Sequence, residues 1–328
     1  MQKTIKAENL KVGMYVVLPV SWFKHPFLTN EFVIKSPDQI HKILDFGISD
    51  IIIDTTKGMP VANTERTGHR EALVTPPRTW EPDKLVPVEL KEAIRDKSLS
   101  LEKKTKIVYQ SSLTIVERLF EDPKAENIKA AKKGIADVVD LIISDNATTN
   151  HLLSITSYDY YTYTHSVNVG VFSVLLAREL FRGSFAHDMH ELGAGFFLHD
   201  IGKVRIDNAI INKPGKLSDD ERKIIRTHPE EGYKILSESN QLTEECRHIV
   251  LEHHERADGE GYPRGLKGND IHIYGRICSI ADVYDALTAD RSYKMKLNTF
   301  NALKLMKEEL LNHFTKELFE KFVRLFIT

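Results

Sequence analysis

The order of a few histidines and aspartates in the second half of the chain constrains its fold more than any other feature. Ten of the fourteen histidines fall between His151 and His272. His165, His199-Asp200, His228, His253-His254 and Asp282 succeed one another there, imidazoles interleaved with carboxylates. That donor set suits a transition metal such as iron, manganese or zinc. Seven such side chains exceed what one ion takes from protein while keeping an open position. Two ions sharing Asp200 as a bridge would use them all, and a pair about 3.5–4 Å apart clamps both the attacking and the leaving oxygen of a phosphoester. Four or five segments must converge for these side chains to meet, which points to a site inside a helical bundle.

The local pattern fits helices. Val167, Val171, Val174, Leu175 and Leu180 keep helical spacing, and Ser218 with Glu221 has the form of a capping box. His199-Asp200 closes the apolar run Leu192 to Leu198, with Gly202 placed to stop a helix. His228 precedes Pro229 as a residue at a helix start, His253-His254 closes the amphipathic stretch from Cys246 to Glu252, and Asp282 lies within Ile277 to Leu287. Cys246 and Cys278 are too few for an all-thiolate zinc site and read as buried thiols.

The first sixty residues read differently. Met14 to Leu18, Glu31 to Ile34 and Ile48 to Asp54 are strand-like. Ser36-Pro37-Asp38 starts a short helix with Ile40, Ile43 and Leu44 on its apolar face and Gly47 as its cap. Pro60, Pro76, Pro77, Pro82 and Pro87 then mark an extended linker. Beyond it Leu101, Val108, Ile115 and Leu119 form a helical stripe, read as packing onto the next domain in preference to a dimer seam. The expected organisation is a small α+β domain over 1–60, a linker and connecting helix over 61–124, and a mainly α, all-helical metal-binding domain over 125–328. Charged residues at 28%, a net charge of −2 and apolar runs too short to span a bilayer speak against a nucleic-acid polymer as partner and against membrane insertion, so a cytoplasmic protein is expected.

His199-Asp200-Ile201-Gly202-Lys203, then His253-His254-Glu255-Arg256-Ala257-Asp258-Gly259-Glu260-Gly261-Tyr262-Pro263, and later Ala281-Asp282-Val283-Tyr284-Asp285-Ala286-Leu287-Thr288, closely resemble the motifs of the HD-GYP phosphodiesterases. These are a bacterial branch of the HD metal-dependent phosphohydrolases, and the resemblance covers roughly 125–328. Gly13 to Val16 and Trp22 to Phe27 look like the small domain of unknown role that often precedes HD-GYP domains.

The resemblance implies hydrolysis of cyclic di-GMP to pGpG or onward to GMP, at an HD-type bundle holding two divalent ions, iron or manganese, with a bridging hydroxide as nucleophile. One ion would be held by His165, His199, Asp200 and Asp282, the other by Asp200, His228, His253 and His254. Tyr161 stands where some members carry a glutamate for a third ion, so two ions are expected. Lys203 would be a catalytic cation that faces a substrate phosphate, with Arg291 and Lys294 as further phosphate contacts. The Gly259–Pro263 loop would shape the substrate entrance and dock diguanylate cyclase domains. Tyr262 could serve substrate, packing or a partner. Two other readings stay open: a low-turnover cyclic-dinucleotide receptor or scaffold, and a phosphodiesterase for another cyclic dinucleotide. His151, His187, His190, His248 and His272 read as structural or surface residues, and a homodimer is compatible with the sequence.

Overall fold

Residues 2–18, 31–34, 39–40, 43–44, 50–54, 79–156, 162–211, 213, 216–289 and 297–327 are described by the computed structural model of the chain. The chain divides into two units, Met1–Thr75 and Pro76–Thr328. In the first, β1 (Gln2–Lys6), β2 (Tyr15–Val17), β3 (Glu31–Val33) and β4 (Asp50–Asp54) form an antiparallel sheet in the order β1-β4-β2-β3. The β-branched run Ile51-Ile52-Ile53 suits the inner strand β4, where Ile51 lies opposite Ile5 and Ile53 opposite Val16. Ile51, Ile53 and Val16 join Leu18, Ile34 and Ile43 in a small core. β1 was not expected, because an edge strand reading Gln-Lys-Thr-Ile-Lys carries little apolar signal. The Ser36-Pro37-Asp38 helix start, Gly47 and Trp22–Phe27 lie outside the described residues.

The second unit is helical: α1 (Pro82–Leu85), α2 (Val88–Arg95), α3 (Leu101–Glu121), α4 (Ala125–Ser144), α5 (Asn146–Ile155), α6 (Thr162–Leu180), α7 (Met189–Phe197), α8 (Asn208–Ile211), α9 (Asp219–Ile225), α10 (His228–Glu238), α11 (Glu244–Glu252), α12 (Ile273–Thr288), α13 (Thr299–Glu309) and α14 (Lys316–Arg324). α3 does not stand apart as a connector. Val108, Ile115 and Leu119 are buried in the same core as α4, α6 and α7, and Leu101 alone of the stripe is exposed at the helix start. Trp80 ties the beginning of the unit to the end of α3: its backbone N–H donates to Asp122 Oδ2 at 2.8 Å and its indole N–H to Glu121 Oε2 at 2.8 Å.

α7 is buried along its second half, from Leu192 to Phe197, and is packed by α4, α6 and α11. Asp188 caps it by accepting from the backbone N–H of His190 and Glu191. Because α7 runs through the middle of the unit, the residues just past its C-terminus, His199 and Asp200, are delivered to the interior. Among the described residues no helix is long and apolar enough to cross a membrane.

Candidate metal centre

α7 ends at Phe197, and His199 and Asp200 occupy the turn after it before the tight 3-10 turn Ile201–Arg205. Gly202 therefore does not terminate α7 as expected. It lies inside the 3-10 turn, where a Cβ would fall 1.9 Å from the carbonyl oxygen of His228 and 2.4 Å from the backbone nitrogen of Gly232. Only glycine lets this turn lie against the start of α10, and that approach brings His228 to Asp200. The capping box forms at α9, with Ser218 and Glu221 each accepting from the other's backbone N–H, and sets up the Ile225 end that precedes His228. α11 is capped by Thr243 and ends at Glu252, directly before His253-His254. α12 supplies Asp282, and α6 supplies His165.

The seven side chains fall into two groups whose ligand atoms lie within 4.8 Å of one another: His165, His199 and Asp282, and Asp200, His228, His253 and His254. Asp200 faces both. Its Oδ2 is 3.6 Å from His165 Nε2 and 3.5 Å from His199 Nε2, while its Oδ1 is 3.2 Å from His228 Nε2 and 3.9 Å from His253 Nε2. Asp282 spans the same gap, with Oδ1 3.0 Å from His165 Nε2 and Oδ2 3.4 Å from His254 Nδ1.

The donor set fits divalent cations on three observations. First, His199, His228 and His253 each donate Nδ1–H to a backbone carbonyl, of Phe196 at 2.9 Å, Ile225 at 2.8 Å and Val250 at 2.9 Å, which leaves Nε2 as a lone pair. Second, the Nε2 atoms of His228 and His253 are 3.0 Å apart, so two lone pairs point at each other unless a cation comes between them. Third, His199 Nε2 and Asp200 Oδ1 are buried without a hydrogen-bond partner, which is costly in a protein interior.

Electrostatics agree. Burial pushes the imidazoles of His199, His253 and His254 down, His253 well below the histidine range and His254 to about 3, so all three are neutral at pH 7 and able to serve as ligands. Burial alone would raise Asp200, but Lys203, His199 and His228 outweigh it and hold the carboxyl well below its usual range. Asp282 is likewise held below the usual carboxylate range, the His165 imidazole 3.0 Å from its Oδ1 outweighing burial. The Cys278 thiol is pushed up by burial, then by Asp282 and Asp200, and supplies no thiolate.

Lys203 reaches further in than a cation that faces substrate alone: its Nζ donates to Asp200 Oδ2 at 2.5 Å. The site opens on one side. His165, His199, Asp200, His228 and His253 have side chains at most 3% exposed, whereas His254 is 23%, Lys203 16% and Asp282 12% exposed. Tyr262 stands at this edge. Its ring stacks on His254 with centroids 4.6 Å apart, and the Arg226 guanidinium lies 5.1 Å from its centroid. Arg291, Lys294 and Tyr161 lie outside the described residues.

Sequence reasoning missed Glu255 and Asp285. Glu255, buried, accepts from the backbone N–H of Arg264 at 2.7 Å and of Leu266 at 2.9 Å, and so pins the loop that carries Tyr262. Asp285 lies one turn beyond Asp282 and accepts from His165 Nδ1–H at 2.7 Å. Its only signal was a second aspartate three positions on, the spacing that shares a helix face. Of the remaining histidines, His187 bonds the Tyr274 hydroxyl, His190 bonds Asp140, and His248 stacks on His272.

Residues 186–318 match the HD domain, and residues 2–133 match a domain of unknown function, DUF3391. The chain is 33% identical to the cyclic di-GMP phosphodiesterase PA4108 of Pseudomonas aeruginosa over 331 residues, 99% of this chain and 76% of that one. It is 39% identical over 150 residues to the 3'3'-cGAMP-specific phosphodiesterase 3 of Vibrio cholerae, 46% of this chain and 32% of that one, so the chain matches about a third of that relative's length. Among solved structures, Bd1817, an HDG"Y"P protein from Bdellovibrio bacteriovorus, shares the fold over 100% of both chains with a TM-score of 0.63 at 17% identity.

Proposed function

Because the chain belongs to the HD-GYP family of HD metal-dependent phosphohydrolases, with DUF3391 in front, we propose that it is a phosphodiesterase that opens cyclic di-GMP, to pGpG and on to GMP. The observation that carries this reading is the likeness to the Pseudomonas cyclic di-GMP phosphodiesterase, which runs through 99% of the chain and so across both ligand groups.

The proposed complement is two divalent ions, iron or manganese. His165, His199, Asp282 and Asp200 would hold one, and Asp200, His228, His253 and His254 the other. Such ions supply a polarised phosphate oxygen and a water nucleophile at neutral pH. The side chains prepare that chemistry. Asp200 keeps its negative charge in a fully buried position because Lys203 sits on it. Lys203, partly exposed beside the carboxylate, would also face an incoming phosphate. Tyr262 holds the His254 ring by stacking and forms the wall of the open edge. Arg291 and Lys294 are proposed to hold the substrate phosphates, and the Gly259–Pro263 loop to dock diguanylate cyclase domains.

A second substrate, 3'3'-cGAMP, is favoured by the likeness to the Vibrio relative. Both readings meet in one experiment. The full chain is loaded anaerobically with manganese or iron, incubated with each cyclic dinucleotide, and the products are separated. The expected result is linear product from cyclic di-GMP at a higher kcat/KM than from 3'3'-cGAMP. The reverse order would make the mixed dinucleotide the substrate, and metal-loaded protein that binds cyclic di-GMP without turning it over would make it a receptor.

A further inference from the structure

Three of the imidazoles at the site are oriented by backbone. The carbonyls that receive the Nδ1–H of His199, His228 and His253 belong to Phe196, Ile225 and Val250, each in the last turn of a helix, where carbonyls lack a partner in the helical ladder. His165 is placed differently. It lies within α6, in the first two turns of a nineteen-residue helix, where the carbonyls are taken up by the ladder. Its Nδ1–H goes to a side chain from another helix, Asp285 Oδ2 of α12, at 2.7 Å.

The carboxylate is itself fixed. Asn168 Nδ2 donates to Asp285 Oδ1 at 2.8 Å, and the Tyr109 hydroxyl donates to Asn168 Oδ1 at 2.8 Å. Asp285, Asn168 and Tyr109 are 2%, 1% and 5% exposed. A buried carboxylate with both oxygens engaged is costly to keep unless its charge is used. The use at hand is to hold the His165 ring with Nε2 turned toward Asp282 and Asp200 and to make that nitrogen a stronger donor.

We infer that Asp285 is a positioning residue for the metal ligand His165, and that Asn168 and Tyr109 lock it in place. The inference rests on the two-metal reading above. It also extends the site's support to α3, where Tyr109 lies, further upstream of the matched HD domain than His165 itself.

The test is a titration of the full metal-free chain with cobalt(II), monitored by the visible ligand-field bands, for the parent, Asp285→Asn and Tyr109→Phe. Asp285→Asn should weaken the affected site by about 10- to 100-fold and shift its bands, since a ligand of altered donor strength changes the ligand field. Tyr109→Phe should act in the same direction by about 3- to 10-fold, the worth of one buried hydrogen bond. A merely structural role would lower the melting temperature of the metal-free protein and leave bands and affinity as in the parent, and that result overturns the inference. If Asp285→Asn fails to fold, Tyr109→Phe decides: parent-like affinity and bands overturn the inference. A parent chain that binds no cobalt would overturn the two-metal reading itself.

Discussion

At Asp200 the two ligand groups meet, one carboxylate oxygen toward each. Asp200→Asn exchanges a charged ligand for a weak neutral one, and metal analysis should fall from about two ions per chain to below one. Lys203→Ala is expected to leave the metal content near the parent, because bound cations replace the charge it sets against Asp200. Turnover of cyclic di-GMP should still drop about 10- to 100-fold, the worth of a charge-assisted contact to phosphate. The same residues set the acid limit of the metal-free protein. In the unfolded chain histidines titrate near 6.5, whereas burial lowers His199, His253 and His254 in the fold, so they stay neutral below that. In that window the unfolded state binds more protons, so stability rises with pH and is lost on acidification from about 6.5. Asp200 and Asp282, lowered in the fold, add a second loss as the pH drops below about 4. Thermal melts of the metal-free chain between pH 7.5 and 5 should show a falling midpoint.

Among elements, the features legible in the sequence were those that depend on neighbours along the chain. The capping box at α9, the histidine at the start of α10 and the pair closing α11 each rest on contacts within a few positions, and each is where local pattern puts it. The supports for the site are of the other kind. Glu255 accepts from the backbone N–H groups of residues 264 and 266, Asp285 accepts a hydrogen bond from His165 on α6, and Gly202 is fixed by a carbonyl on α10. None of these partners is visible until the helices are assembled. The seven candidate ligands, which the fold gathers into two groups, were legible because metal chemistry restricts residue type as well as place. Two substitutions probe the hidden supports. Gly202→Ala drives a methyl group into the His228 carbonyl with no flexible side chain to yield, and should cost about 1–3 kcal/mol in stability and weaken metal binding through His228. Glu255→Ala strands two N–H groups in the loop that holds Tyr262 against His254, so activity should fall with little change in the His165 group. Denaturant melts and cobalt spectra of the two variants check both.

For the whole molecule, the boundary that matters for chemistry is not where the ligand motifs begin. Every candidate ligand lies beyond residue 125, which invites a cut there. Yet Leu85, Leu90, Val108, Ile115 and Leu119 are fully or nearly fully buried in the core that holds α4, α6 and α7. Trp80 is bonded to Glu121 and Asp122, and Tyr109 reaches the site through Asn168 and Asp285. Removing 1–124 would expose the apolar faces of α4 and α6 and take away the hydroxyl that fixes the His165 support. Removing 1–75 leaves the second unit with its whole core, while the sheet residues Val16, Ile51 and Ile53 belong to a separate core of their own. The chain 76–328 should therefore fold, bind two ions and keep most of the cyclic di-GMP turnover of the full protein. The chain 125–328 should be largely insoluble or melt at least ~10 °C lower, since each lost large apolar contact in a core costs about 2–5 kcal/mol. Metal content, melting temperature and turnover measured on the two truncated chains separate these outcomes. A folded, active 125–328 would show that α3 is dispensable, and an inactive but folded 76–328 would show that the first unit contributes to the site.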